Sequence, residues 1–268
     1  MNMKRIVLIA AGWAGVALAQ DKVTVPLSNP SQPATVRVRL LSGSINVTTG
    51  AANQVVVEVT GGSSSGRRRG PEPPAGMHRI EGGGGGIDAE EDHNTVTISG
   101  SMSRNNGNYN IQVPPNCSLK LSSVNGGEIQ VTGVNGTIEA SNTNGSVTLK
   151  NVSGPVVAHT LNGPITATLD RVASDKPMSF TSLNGKIDVS LPSDTKARMR
   201  LKTDNGEVYS DFDVKLEPDA AKPIVEDARG QGGKYRIRME RGIYGSINGG
   251  GPEFRFETMN GNILIHKK

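Results

Sequence analysis

The sequence predicts an all-β fold, a single-stranded β-solenoid with about 18–22 residues per coil. Three observations predict it. Gly127, Gly136, Gly145, Gly154 and Gly163 recur every nine residues, and the residue two positions after each is Ile129, Ile138, Val147, Val156 and Ile165. Nine Asn-Gly dipeptides punctuate the chain, most of them followed by a short alternating apolar segment. Aromatic residues make up only 3% of the chain against 34 glycines, which suits a narrow interior filled by aliphatic and small side chains.

The nine-residue register carries the first element of the argument. Four residues after each glycine stand Val131, Ala140, Leu149, Ala158 and Ala167, and two residues before the later four stand Val134, Thr143, Val152 and Leu161. Even offsets are apolar or small and odd offsets mostly polar, the period of a strand with one buried face. All three even columns are therefore assigned inward. After Gly163 the spacing widens to Gly185 and Gly206, yet Lys186–Leu191 and Glu207–Phe212 repeat the motif, with a second strand at Ala197–Lys202 between them. Two strands per coil account for both spacings. An Asn-Gly also favours a type I′ hairpin, so an antiparallel meander is the competing arrangement. A constant apolar offset after every glycine favours stacking of like on like, with glycine at corners that need positive φ.

Along the chain, Lys4 and Arg5 precede an apolar run from Ile6 to Ala19 that ends in Ala17-Leu18-Ala19. This is the pattern of an export signal over residues 1–19, cleaved before Gln20, and the run is short of the ~20 residues that span a bilayer. The solenoid domain then occupies 20–268. Without Lys4 and Arg5 the 29 basic residues become 27 against 25 acidic, a formal +2, so no general attraction to nucleic acid is implied. Thr35–Leu40, Gly43–Val47 and Gln54–Thr60 read as strands. Residues 61–86, rich in Gly and Pro and carrying Arg67-Arg68-Arg69, form a flexible insertion that cannot bury a core. Strands resume at Thr95–Ser99, Asn110–Val113 and Ser118–Leu121. A loop at Asp219–Gly233 includes a short helical turn at Ile224–Ala228, and Tyr235–Met239 and Phe254–Phe256 close the rod before Gly261–Ile265. Cys117 is the only cysteine; it has no internal partner and behaves as a small buried hydrophobe.

The Asn-Gly-x-Ile-x-Val units, the segment Val55-Val56-Val57-Glu58-Val59 and the closing Met259-Asn260-Gly261-Asn262-Ile263 resemble a bacterial β-strand-repeat family of exported and envelope proteins. That family is catalogued as an adhesin-type domain of unknown function. The resemblance spans about Ala34 to Lys268. It implies the fold and an adhesin-like role; the family carries no agreed catalytic residues, so none are transferred.

Candidate chemistry is sparse. Solenoid lyases and hydrolases need clustered carboxylates, and the available groups are Asp88, Glu90, Glu91 and Asp92, then Asp211 and Asp213, the latter pair spaced to hold calcium. The glycine turns carry Asn where calcium-binding β-rolls need Asp. His159 and Asp170 lack the Gly-x-Ser-x-Gly elbow of a hydrolase, and the Gly82–Gly86 tract lacks the Gly-Lys-Ser/Thr of a phosphate loop. No catalytic residue, cofactor or metal is expected. A third possibility is self-assembly through the rod ends.

Three strands place basic residues on their polar face: Arg37 and Arg39; Arg198, Arg200 and Lys202; Arg236 and Arg238. Aligned on one side of the rod they would form a band for anionic ligands. The expected function is that of an exported, non-enzymatic binding or scaffold module of the cell envelope. Its partners would be an envelope glycan, an anionic lipid or another envelope protein. The alternative is a carbohydrate-active solenoid enzyme.

Overall fold

A computed structural model describes residues 21–63, 88–100, 105–125, 127–217, 224–227, 235–238 and 242–268. The signal segment, most of the 61–86 insertion and much of the 219–233 loop lie outside them. The described chain forms two large sheets of ten and eleven strands and a separate two-stranded sheet. Coils alternate between the large sheets. Each contributes one strand to the eleven-stranded sheet and the next to the ten-stranded sheet: β2 (Ala34–Ser42) and β3 (Ser44–Thr49), β6 (Thr95–Ser99) and β7 (Asn105–Val113), β8 (Cys117–Asn125) and β9 (Ile129–Thr132), β10 (Ile138–Asn144) and β11 (Val147–Ser153). The remaining pairs are β12 (Val156–Asn162) and β13 (Ile165–Arg171), β14 (Met178–Asn184) and β15 (Ile187–Leu191), β16 (Ala197–Asn205) and β17 (Val208–Ser210), and β22 (Glu253–Asn260) and β23 (Ile263–Lys267). Successive coils pair in parallel: Ile138 lies beside Val156 and Ile165 beside Ile187, steps of 18 and 22 residues. The chain is an all-β solenoid, and the meander is excluded along its body.

The stacking order departs from chain order at both ends. Coil β2/β3 sits between β6/β7 and β8/β9, and the final coil β22/β23 sits between β14/β15 and β16/β17. Antiparallel strands cover the ends. β4 (Gln54–Ser63) and β1 (Asp21–Pro26) extend from β7, while β5 (Asp88–Asp92) covers β6. At the opposite end β21 (Ile243–Ile247) pairs with β16 and β18 (Lys215–Leu216) with β21. Two expectations are corrected here. Residues 224–227 are not helical but form β19 (Ile224–Asp227), paired antiparallel with β20 (Tyr235–Arg238). Those two strands make the separate sheet, so Tyr235–Met239 does not close the rod; β18 and β21 do.

The core is the pair of inner faces. In the ten-stranded sheet Ile45, Ile129, Val147, Ile165, Ile187 and Ile263 stack in register, all fully buried. In the eleven-stranded sheet the matching column runs Val38, Leu121, Ala140, Ala158, Phe180, Phe256 and Leu201. The interior is not purely aliphatic. Phe180, Phe254 and Phe256 are fully buried, and the rings of Phe180 and Phe256 stack at 5.2 Å with 11° between planes. Neighbouring coils offer in-register positions, so a ring on one rung packs on a ring of the next. Ile138→Ala should cost about 2–5 kcal/mol in chemical denaturation. Glu139→Ala should cost well under 1 kcal/mol, because Glu139 faces solvent and only its exposed pair with Lys120 is lost. Equal losses would contradict the inward and outward assignment.

The corner between β-strands of the two sheets explains the Asn-Gly signal. Gly127, Gly145, Gly163, Gly185, Gly261 and Gly206 stack so closely that a Cβ on each would overlap the carbonyl of the glycine on the adjacent coil. Close backbone approach, more than positive φ, is therefore what excludes other residues here. Three positions before each of these glycines, or four for Gly127, a small polar side chain turns inward and caps a corner carbonyl of the neighbouring coil. Asn142 donates to Gly127 O at 2.7 Å, Thr160 to Gly145 O at 2.9 Å, Ser182 to Gly163 O at 3.0 Å, and Thr258 to Gly185 O at 2.9 Å. These buried hydroxyl and amide groups satisfy carbonyls that would otherwise lack donors. The asparagine before each of these glycines other than Gly127 belongs to an outer ladder. Asn162 Nδ2 donates to Asn144 Oδ1 at 2.8 Å, Asn184 to Asn162 at 2.8 Å, Asn260 to Asn184 at 2.6 Å and Asn205 to Asn260 at 2.8 Å.

This corner overturns one inward assignment. Val134 and Val152 are buried, but Leu161 is 37% exposed and Thr143 half-buried. Val152 lies at the opposite corner, where Asn151 at φ 51° resets the alternation. At the Asn-Gly corner no reset occurs, so the polar Thr160 goes inward and Leu161 outward.

Candidate functional site

The outer face of the eleven-stranded sheet carries most of the predicted site. Its rows follow from register. One row runs Arg37, Lys120, Glu139, Val157, Ser179, Arg255 and Arg200; the next runs Arg39, Ser122, Ser141, His159, Thr181, Glu257 and Lys202. Arg37 and Arg39 on β2 and Arg198, Arg200 and Lys202 on β16 thus share one face. Strands β8, β10, β12, β14 and β22 separate the two groups, a gap of roughly 29 Å at about 4.8 Å per strand. Arg236 and Arg238 are on β20, which belongs to the separate sheet, so the structure does not bring all three groups onto one band. Arg67–Arg69 lie outside the described residues.

The basic groups differ in their surroundings. Arg198 pairs with Glu217 at 3.0 Å; Arg200 pairs with Glu257 at 3.3 Å and stands over the Tyr244 ring at 5.8 Å. Arg255 reaches the same Glu257 at 2.5 Å. These contacts tie β16, β22 and the covering strands together. Arg37, Arg39 and Lys202 form no ion pair among the described residues.

The carboxylates do not converge. Glu91 accepts hydrogen bonds from Ser28 Oγ at 2.7 Å and from the Asn94 amide at 2.8 Å. The Ser28 hydroxyl, followed by the two backbone amides and the nearby His93, holds its carboxyl below the usual carboxylate range. Glu91 therefore fastens the turn between β5 and β6 to the loop after β1. Asp211 receives the Lys267 amide at 3.3 Å and lies 3.2 Å from His266 Nδ1, whose other ring nitrogen is 3.5 Å from Asp188. Among the described residues no group of three or more His, Cys, Asp or Glu is placed to hold a metal ion. His159 projects from the eleven-stranded sheet, whereas Asp170 belongs to β13 of the other sheet and pairs with Lys268 at 2.5 Å, so the two are not brought together. A cleft of about 350 Å³ opens beside Asp170, Ser174 and Lys196, where the coil widens from 18 to 22 residues.

Cys117 is buried against the first rungs, and burial pushes its thiol up to about 12. The folded chain should stay unlabelled by iodoacetamide at pH 8 and label fully in denaturant. Rapid native labelling would contradict its placement.

Sequence reasoning missed the corner itself. Leu41, Val124, Leu161, Leu183 and Met259 are 37–57% exposed and align in one column beside the asparagine ladder, interrupted only by Thr143. The signal was present as a repeated Ser/Thr/Asn-x-Asn-Gly tetrapeptide at 142, 160, 182, 203 and 258.

A parallel two-sheet solenoid with in-register ladders at one corner defines the chain as a repeat-built β-solenoid protein. The Toastrack DUF4097 family model, a domain of unknown function, matches residues 13–242, and the chain belongs to that family. The final coil β22/β23 lies beyond the matched residues yet is hydrogen-bonded within both sheets. No curated protein matches the chain. A crystal structure of a candidate cell adhesion protein from Clostridium sporogenes is 12% identical, covering 93% of this chain and 100% of its own, with a TM-score of 0.42.

Proposed function

We propose that the protein is an exported, non-enzymatic binding or scaffold module of the cell envelope, with affinity spread along the rod. The observation that carries this reading is the in-register order of the outer columns. At the Asn-Gly corner stacked coils repeat one side chain, Asn144, Asn162, Asn184, Asn260 and Asn205, over roughly 20 Å at about 4.8 Å per strand, which suits an extended partner better than a compact substrate. Export rests on the signal pattern of residues 1–19. Arg37 and Arg39 at one end of the face, and Arg198, Arg200 and Lys202 at the other, would meet anionic groups of an envelope glycan, lipid or protein.

The test is sedimentation of the mature chain with isolated cell envelopes, beside hydrolysis assays on the extracted polysaccharides. Co-sedimentation without product release is expected. Release of reducing ends or unsaturated sugars would replace the binding reading by an enzymatic one. A salt series on wild type and on an Arg37→Ala/Arg39→Ala variant measures the ionic share of the binding.

A further inference from the structure

Five of the nine large hydrophobic side chains exposed among the described residues stand in the single column Leu41, Val124, Leu161, Leu183 and Met259. Their order follows the rungs, about 4.8 Å apart. On one flank runs the asparagine ladder. Asn162, Asn184, Asn260 and Asn205 each commit one amide N–H to the neighbouring asparagine, which leaves each a second N–H. On the other flank stand Ser122, Ser141, His159 and Thr181, in register with one another. Over coils β8/β9 to β14/β15 this corner therefore presents an apolar ridge of Val124, Leu161 and Leu183, interrupted at Thr143, between two hydrogen-bonding rows.

Resting on the binding reading above, we infer that this ridge takes a neutral, extended, β-linked glycan bearing acetamido groups. Aliphatic side chains suit the C–H face of a pyranose ring, and a regular amide row suits acetamido and hydroxyl groups at a constant repeat. The rung spacing, about 4.8 Å, is close to the advance of one pyranose unit in such a chain, and because successive units are turned over, every second rung meets equivalent sugar atoms. Anionic polymers are the poorer fit: among the described residues the one Lys or Arg on the outer face of β8, β10, β12 and β14 is Lys120, and Glu139 holds it at 2.7 Å. A second copy is also the poorer fit. At these exposures the column offers on the order of 400 Å² of apolar surface, about half of the ~800 Å² each partner contributes to a stable complex.

The probe is N-acetyl-chitohexaose, titrated calorimetrically into the mature chain, with heparin in parallel. Binding of the chitohexaose that changes less than threefold between 50 and 500 mM NaCl is expected. Leu161→Asp/Leu183→Asp should weaken it at least tenfold with an unchanged melting curve, and the milder Leu161→Ser/Leu183→Ser should weaken it in the same direction. Arg37→Ala/Arg39→Ala should leave it unaltered. Chitohexaose binding indifferent to both ridge variants overturns the inference. So does binding to heparin alone, which would leave the envelope-binding reading standing, or a dimer in light scattering that the ridge variants dissolve. Absence of binding to chitohexaose, heparin and isolated envelopes together removes the binding reading as well.

Discussion

Removing residues 252–268 should abolish cooperative folding of the far half of the rod. The deleted segment holds β22 and β23, which lie between β14/β15 and β16/β17 in both sheets. It buries Phe254, Phe256, Ile263 and Ile265 almost completely, and at about 1.5–3 kcal/mol for each such side chain the loss is on the order of 6–12 kcal/mol. That equals the whole stability of a typical domain, about 5–15 kcal/mol. The cut also takes Asn260 from the middle of the asparagine ladder and Thr258 from its carbonyl cap. Circular dichroism melts and amide exchange check this: residues 178–217 should lose protection in the truncated chain. A truncated chain that melts like wild type would mean that β14 and β16 close on each other without the inserted coil.

Gly163→Ala should be strongly destabilising. Its Cβ would overlap the Gly145 carbonyl, and both backbones are fixed, since the Gly163 amide donates to Asn184 O and the Gly145 amide to Asn162 O, each at 3.0 Å. The strain cannot relax into a side chain, so the cost should reach about 3 kcal/mol or more. Gly249 supplies the contrast. It has φ 89°, but a methyl group there would meet nothing within 4 Å, so Gly249→Ala should cost only about 1–2 kcal/mol, the strain of the left-handed backbone alone. Urea denaturation midpoints compare the two, and equal costs would show that close approach is not what selects glycine at the corner.

Much of this architecture was readable from residue spacing. The offsets from Gly127 to Gly163 specify a two-strand coil, and the wider steps to Gly185 and Gly206 specify the same coil with longer loops, as Ile165 beside Ile187 shows. Coil order was not readable. Phe254–Asn260 carries the same pattern as Met178–Asn184, so periodicity states which segments are equivalent without stating which are neighbours. The exposed column was missed because strict alternation was carried through the Asn-Gly corner, although Thr160 and Ser182 are polar where an inward residue was required. The basic residues showed the opposite limit. Alternation puts Arg37 and Arg200 correctly on one outer face, but their separation depends on how many strands intervene, which is a property of the stack.

The same insertions set the sequence separations that folding must bridge. Between β8 and β15 each coil meets the next after 18–22 residues, whereas Met178 must find Phe254 and Thr35 must find Ser118, separations of 76 and 83 residues. Closing such long loops before any contact rewards them slows the ends relative to the centre. Assembly should therefore nucleate over 117–191 and finish at both extremities. Pulse-labelled amide exchange should find the central rungs protected first; early protection of β2 or β22 would reverse that order.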